Sequence, residues 1–219
     1  DMEAAKKKGI KVFFTPYGPT TAVAELTVGA MLNLLRMVSF MDRDMHEGKW
    51  TKKVGAQLEG KTILILGFGR IGRKVALLLQ PFNVRLLVVD PCINETMNGV
   101  EVLSLDKALS QADIITIHSS GEHEIIGDNE FRIIKDGAFL LNAARGGLIN
   151  EGALVNALES GKVAGAWLDT FGVEPYTGAL RKYPHVILTP HIGSYTQECR
   201  KSMEMEAVDN LISGFGEGL

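Results

Sequence analysis

Six runs of strand length, nearly all apolar, recur through the chain: "KTILILG" (61–67), "VRLLVVD" (84–90), "ADIITIH" (112–118), "GAFLLNA" (137–143), "VAGAWLD" (163–169) and "HVILTP" (185–190). Segments with helical spacing separate them. A strand that faces water on one side alternates apolar and polar residues. A near-continuous apolar run is instead buried on both faces, which is the condition of a parallel sheet covered by helices. The pattern therefore predicts an α/β chain with a doubly wound parallel sheet. In such sheets ligands collect at the carboxyl ends of the strands, so those ends are where chemistry is sought.

The remaining elements follow from spacing and breakers. A helix end is expected at 2–8, a short strand at "KVFFT" (11–15), a turn-rich linker at "PYGPTT" and a long helix at 21–46. The polar stretch "HEGKWTKKVGAQLEG", anchored by Trp50, reads as an irregular arm. Helices are expected at 70–80, 104–110, 128–134, 150–160 and 195–213, with a short strand at 101–103. The stretch 22–41 is about as long as a bilayer span, but it carries Glu25, Asn33 and Arg36, each costly in lipid, so no membrane partner is expected. A net charge of −3, with Lys6, Lys7 and Lys8 as the one tight basic cluster, excludes nucleic acid as the main partner. Cys92 and Cys199 are far apart and in no metal-ligand spacing, which predicts no disulfide framework and no metal and fits a reducing cytoplasm.

The first strand end carries "GFGRIG", with Gly67, Gly69 and Gly72 in G-x-G-x-x-G between a strand and a helix. Gly67 permits the tight turn, Gly69 lets backbone amides approach a pyrophosphate, and Gly72 permits close helix–strand packing. Asp90 ends the next strand, 23 positions after Gly67. A carboxylate there binds ribose hydroxyls and repels a 2′-phosphate, so a Rossmann fold that takes NAD in preference to NADP is expected. Later strand ends supply His118, Arg145, Asp169 and His191. His46, His123 and His185 sit away from those ends and receive no role. His191 is followed by Gly193, which allows a ligand near the backbone, and a histidine can change protonation near neutral pH. Arg145 stands at the mouth of an apolar strand, where a guanidinium either caps structure or waits for an anion.

Together "LGFGRIG", "NAARGGLINEGAL", "AWLDTFGVEP" and "LTPHIGSYT" resemble, in order, the D-isomer-specific 2-hydroxyacid dehydrogenases. The resemblance covers nearly the whole chain. It implies an NAD-dependent oxidoreductase that moves a hydride between the cofactor and a small D-2-hydroxy acid or 2-oxo acid. The family's substrate arginine falls on Arg145, its acidic partner on Glu174 and its acid–base histidine on His191. For the cofactor the resemblance adds Arg70, Ile71, Ser119, Ala143, Ala144, Ile192 and Gly193, and places Asp169 near the nicotinamide carboxamide. It also implies a homodimer joined through the helix and arm of 21–58. Residues 1–15 would end a substrate domain that is mostly absent, 16–193 would form the NAD-binding domain, and 194–219 would be a helix returning toward the absent part. Two departures stand out: "HSSGEHEIIG" lacks the proline that the family carries after His118, and Gly172 replaces a common acidic residue. Because the family also contains corepressors, a dinucleotide-sensing module without physiological turnover is the alternative. Phosphohydroxypyruvate, hydroxypyruvate, glyoxylate and pyruvate all remain open as substrates.

Overall fold

Adjacent residues of an extended strand point to opposite faces, and the central strands use this to bury both. Ile63 and Ile65 join one apolar cluster, whereas Leu64 and Leu66 join another on the opposite side. In the computed structural model, which describes residues 1–93, 95–96 and 99–216, seven strands make one sheet. They are β1 (Thr62–Leu66), β2 (Arg85–Val89), β3 (Val100–Val102), β4 (Ile114–Ile117), β5 (Ala138–Asn142), β6 (Val163–Leu168) and β7 (Val186–Leu188). All pairings are parallel, in the order 3-2-1-4-5-6-7. The fold is a Rossmann-like doubly wound sheet, as the apolar runs predict.

Helices α1 (Met2–Lys7), α2 (Pro19–Arg36), α3 (Val38–His46) and α4 (Arg70–Leu79) precede or follow β1. Met31, Leu34 and Leu35 of α2 pack with Val75 and Leu79 of α4 on the Ile63/Ile65 face. The other face is covered by α5 (Leu105–Leu109), α6 (Asp128–Ile133) and α7 (Glu151–Glu159), through Leu109, Phe131, Leu154 and Leu158. The last helix, α8 (Gln197–Gly216), lies against the start of the chain. There Asn210 Nδ2 donates to Phe14 O at 2.8 Å and Lys11 Nζ to Gly214 O at 2.7 Å.

Two expectations are corrected. The expected helix over 21–46 is two helices, α2 and α3, bent by 65° at Met37, which takes the left-handed conformation with φ 51°. Asn33 holds the break: its Oδ1 accepts from Ser39 N at 2.9 Å and its Nδ2 donates to Ser39 Oγ at 2.6 Å. That side chain satisfies an N–H orphaned at the start of α3. Among the described residues, no single helix is long and apolar enough to cross a membrane. The expected strand "KVFFT" is absent. The segment is irregular and exposed from residue 10 to residue 14, because the face it meets is α8, which offers no strand edge to pair with.

Candidate active site

The sheet's strand order reverses between β1 and β4, and the strand ends that emerge there enclose a cleft of about 530 Å³. Gly67, Gly69, Arg70, Ile71, Asp90, His118, Ser119, Ala143, Ala144 and Arg145 all line it. Ten of the residues that the sequence marks are thus gathered in one place by topology. Gly67 has φ +90°, and a Cβ on it would lie 2.6 Å from Ser119 N. The β1 turn can approach the β4 end only because that atom is missing. A Cβ on Gly72 would collide with Gly67 O. Gly69 is different, since a Cβ there would meet nothing within 4 Å. No contact among the described residues demands glycine at 69; the open space beside it, at the N-terminus of α4, suits a pyrophosphate held by backbone N–H groups.

Asp90 stiffens this turn. Its Oδ2 accepts from Phe68 N at 2.6 Å and its Oδ1 from Cys92 N at 2.8 Å. The carboxylate that would meet ribose also holds the glycine loop in shape. Arg70 turns toward the linker, donating from Nε to Pro16 O at 3.1 Å with its guanidinium 5.2 Å from the Tyr17 ring. His118 turns its ring nitrogens inward. Nε2 lies 2.9 Å from Thr116 Oγ1, and Nδ1 is buried with no partner among the described residues. Burial pushes the ring down to about 4, so His118 is neutral at pH 7 although part of the residue remains accessible at the cleft.

The opposite wall is built by Asn142 at the end of β5. This fully buried amide donates to Arg145 O at 2.8 Å and accepts from Ala144 N at 3.0 Å. It thereby fixes the turn that carries Arg145, whose own side chain is exposed and donates to Ala144 O. A Cβ on Gly146 would overlap backbone atoms of Phe171 and Gly172. The Arg145 loop therefore rests directly on the loop that bears Glu174.

Glu174 and His191 meet as a pair. Glu174 Oε2 is 3.0 Å from His191 Nδ1, and Oε1 accepts from Phe171 N at 3.0 Å. These two hydrogen bonds, from His191 first and then from the Phe171 N–H, hold the Glu174 carboxyl below the usual carboxylate range. His191 has φ 56°, a left-handed conformation that costs a non-glycine residue roughly 1–2 kcal/mol. Asp169, 1% exposed, offsets that cost. Its Oδ1 accepts from Thr189 Oγ1 at 2.6 Å and Ile192 N at 2.9 Å, and its Oδ2 from Gly193 N at 2.8 Å. These three hydrogen bonds hold the turn around His191 in place against that strain. The N–H groups of Ile192 and Gly193 are thus committed to Asp169. The structuring roles of Asn142 and Thr189 escape a reading of motifs alone. A polar residue at the end of a buried strand is the signal, because buried polar groups need partners.

The family model "D-isomer specific 2-hydroxyacid dehydrogenase, NAD binding domain" matches residues 28–193. A D-3-phosphoglycerate dehydrogenase from Pongo abelii is 40% identical over 222 residues, covering 95% of this chain and 42% of the relative. A hydroxypyruvate reductase from Thermotoga maritima is 38% identical over 225 residues, covering 99% of this chain and 74% of the relative. The crystal structure of a glyoxylate reductase from Paecilomyes thermophila superposes with a TM-score of 0.91 at 35% identity, covering 100% of this chain and 69% of that one. The chain spans about two fifths of the length of the phosphoglycerate dehydrogenases that it matches. By its sheet, its cleft and these likenesses, the chain belongs to the D-isomer-specific 2-hydroxyacid dehydrogenases, of which it carries the NAD-binding domain.

Proposed function

We propose that this chain is the cofactor-holding part of an oxidoreductase that transfers a hydride between NAD(H) and a small D-2-hydroxy acid or its 2-oxo acid. The observation that supports this most is the 3.0 Å pairing of His191 Nδ1 with Glu174 Oε2 at the same sheet edge as the glycine-loop cleft. NADH, when bound, supplies the hydride for reduction of the 2-oxo carbon. The protein's part is to place charge and protons. His191, with Nδ1 facing Glu174, has Nε2 left to donate a proton to the carbonyl oxygen and to take one back in the oxidative direction. Glu174 orients the ring through the hydrogen bond at Nδ1. Arg145 offers a planar fork to the substrate's carboxylate and carbonyl oxygens, a geometry that lysine lacks, and stabilises the negative charge that develops. For the cofactor we assign the pyrophosphate to the glycine loop with Arg70 and Ile71, and the adenosine ribose to Asp90. His118, Ser119, Ala143 and Ala144 form the walls, and Asp169, Ile192 and Gly193 border the nicotinamide.

Residues 1–15 would be the end of a substrate domain and 194–219 a helix returning toward it, and the whole would be a cytoplasmic homodimer. Exposed apolar side chains on α3 and the arm, including Trp50 (77% exposed) and Val54 (97% exposed), support an interface there.

The test uses the full-length polypeptide, NADH absorbance and four 2-oxo acids: phosphohydroxypyruvate, hydroxypyruvate, glyoxylate and pyruvate. Turnover of at least one of them is expected. If NADH binds but none is reduced, a dinucleotide-sensing module becomes the better reading.

A further inference from the structure

One hydroxyl links two buried side chains behind His191. Trp167 Nε1 donates to Thr189 Oγ1 at 2.9 Å, and Thr189 Oγ1 donates to Asp169 Oδ1 at 2.6 Å. A hydroxyl has one proton to give and lone pairs to receive another, so the chain of bonds runs in one direction, from indole to hydroxyl to carboxylate. Trp167 and Asp169 are each 1% exposed, so neither can exchange its partner for bulk water. Asp169 holds the N–H groups of Ile192 and Gly193, immediately after His191. Just before it, Thr189 O accepts the His191 N–H at 2.9 Å. His191, in its left-handed conformation, is therefore bracketed on one side by the Thr189 carbonyl and on the other by a carboxylate that the Thr189 hydroxyl aims.

We propose that Thr189 is a positioning residue for His191. Its hydroxyl sets the Asp169 carboxylate against the backbone of 192–193 and so fixes the direction in which the imidazole meets Glu174. This rests on the reading of His191 as the acid–base group. Thr189→Val keeps the branched shape but leaves an indole N–H and a carboxylate lone pair unpartnered in the interior. Thr189→Ser keeps the hydroxyl. Misplacing a reacting group by about 1 Å costs on the order of 10²-fold.

The test is steady-state kinetics of the full-length enzyme with NADH and its best 2-oxo acid, with His191→Ala in parallel and rates expressed per folded enzyme. T189V is expected to lower kcat by about 10- to 100-fold, a larger effect than on KM for NADH because the pyrophosphate and ribose contacts of the glycine loop are untouched; T189S should restore most of kcat. A role confined to packing would lower the melting temperature while leaving kcat per folded enzyme at the wild-type value, and that result overturns the proposal. If H191A loses turnover while T189V keeps it, positioning fails and the acid–base reading stands. If H191A itself keeps wild-type turnover, both fall. Should T189V not fold, Trp167→Phe, which removes the indole N–H together with part of the ring, is measured instead beside Thr189→Ser: a kcat per folded enzyme at least tenfold below that of T189S supports the proposal and an unchanged kcat overturns it.

Discussion

Replacing His191 by alanine in the full-length enzyme is expected to lower kcat by about 10²–10⁴, the usual loss when a positioned acid–base group is removed. NADH affinity should be nearly unchanged, because the glycine-loop cleft is built by β1, β2, β4 and β5 whereas His191 follows β7. The side chain is 54% exposed, so its loss leaves no buried cavity and stability should hardly move. A fall in kcat without a fall in NADH binding or melting temperature is the signature. If kcat stays within twofold, another group carries the proton and the 3.0 Å pair with Glu174 is only a surface hydrogen bond.

The second large effect is expected at Gly146→Ala. The added Cβ would overlap backbone atoms of Phe171 and Gly172, and backbone cannot swing aside as a flexible side chain can. The Arg145 loop and the Glu174 loop must then move apart. Overpacking of this kind costs about 1–3 kcal/mol, and the resulting misplacement of substrate charge against the acid–base pair should lower kcat/KM by about 10²-fold. Thermal melts and turnover together check it. An unchanged melting temperature with full activity would mean that the two loops are not held in contact.

How much of this is legible in the sequence depends on how far apart the partners lie. The sheet is readable because burial on both faces writes itself into each strand as an unbroken apolar run. Gly67 and Asp90 are readable because a strand end, a turn and a helix start are neighbours in the chain. The bend at Met37 is hidden: apolar spacing continues from Leu35 into Val38, and the break is held by a side-chain contact from Asn33 to Ser39. "KVFFT" misleads because strand-forming residues make a strand only where a partner edge exists, and α8 supplies none. In the site, Asp169 is readable as a strand-end carboxylate, but its commitment to Thr189, Ile192 and Gly193 spans up to 24 positions. Trp167 and Thr189, 22 apart, become partners only once β6 and β7 pair.

The most direct test of the central claim is calorimetric titration of this chain with NADH and, separately, NADPH. Binding of NADH with a Kd in the micromolar range, about −8 kcal/mol, and at least tenfold weaker binding of NADPH, a difference of about 1.4 kcal/mol, are expected. The glycine loop would take the pyrophosphate, and the Asp90 carboxylate would repel a 2′-phosphate. No NADH binding at millimolar concentration would contradict the cofactor cleft itself, and tighter binding of NADPH would contradict the role of Asp90.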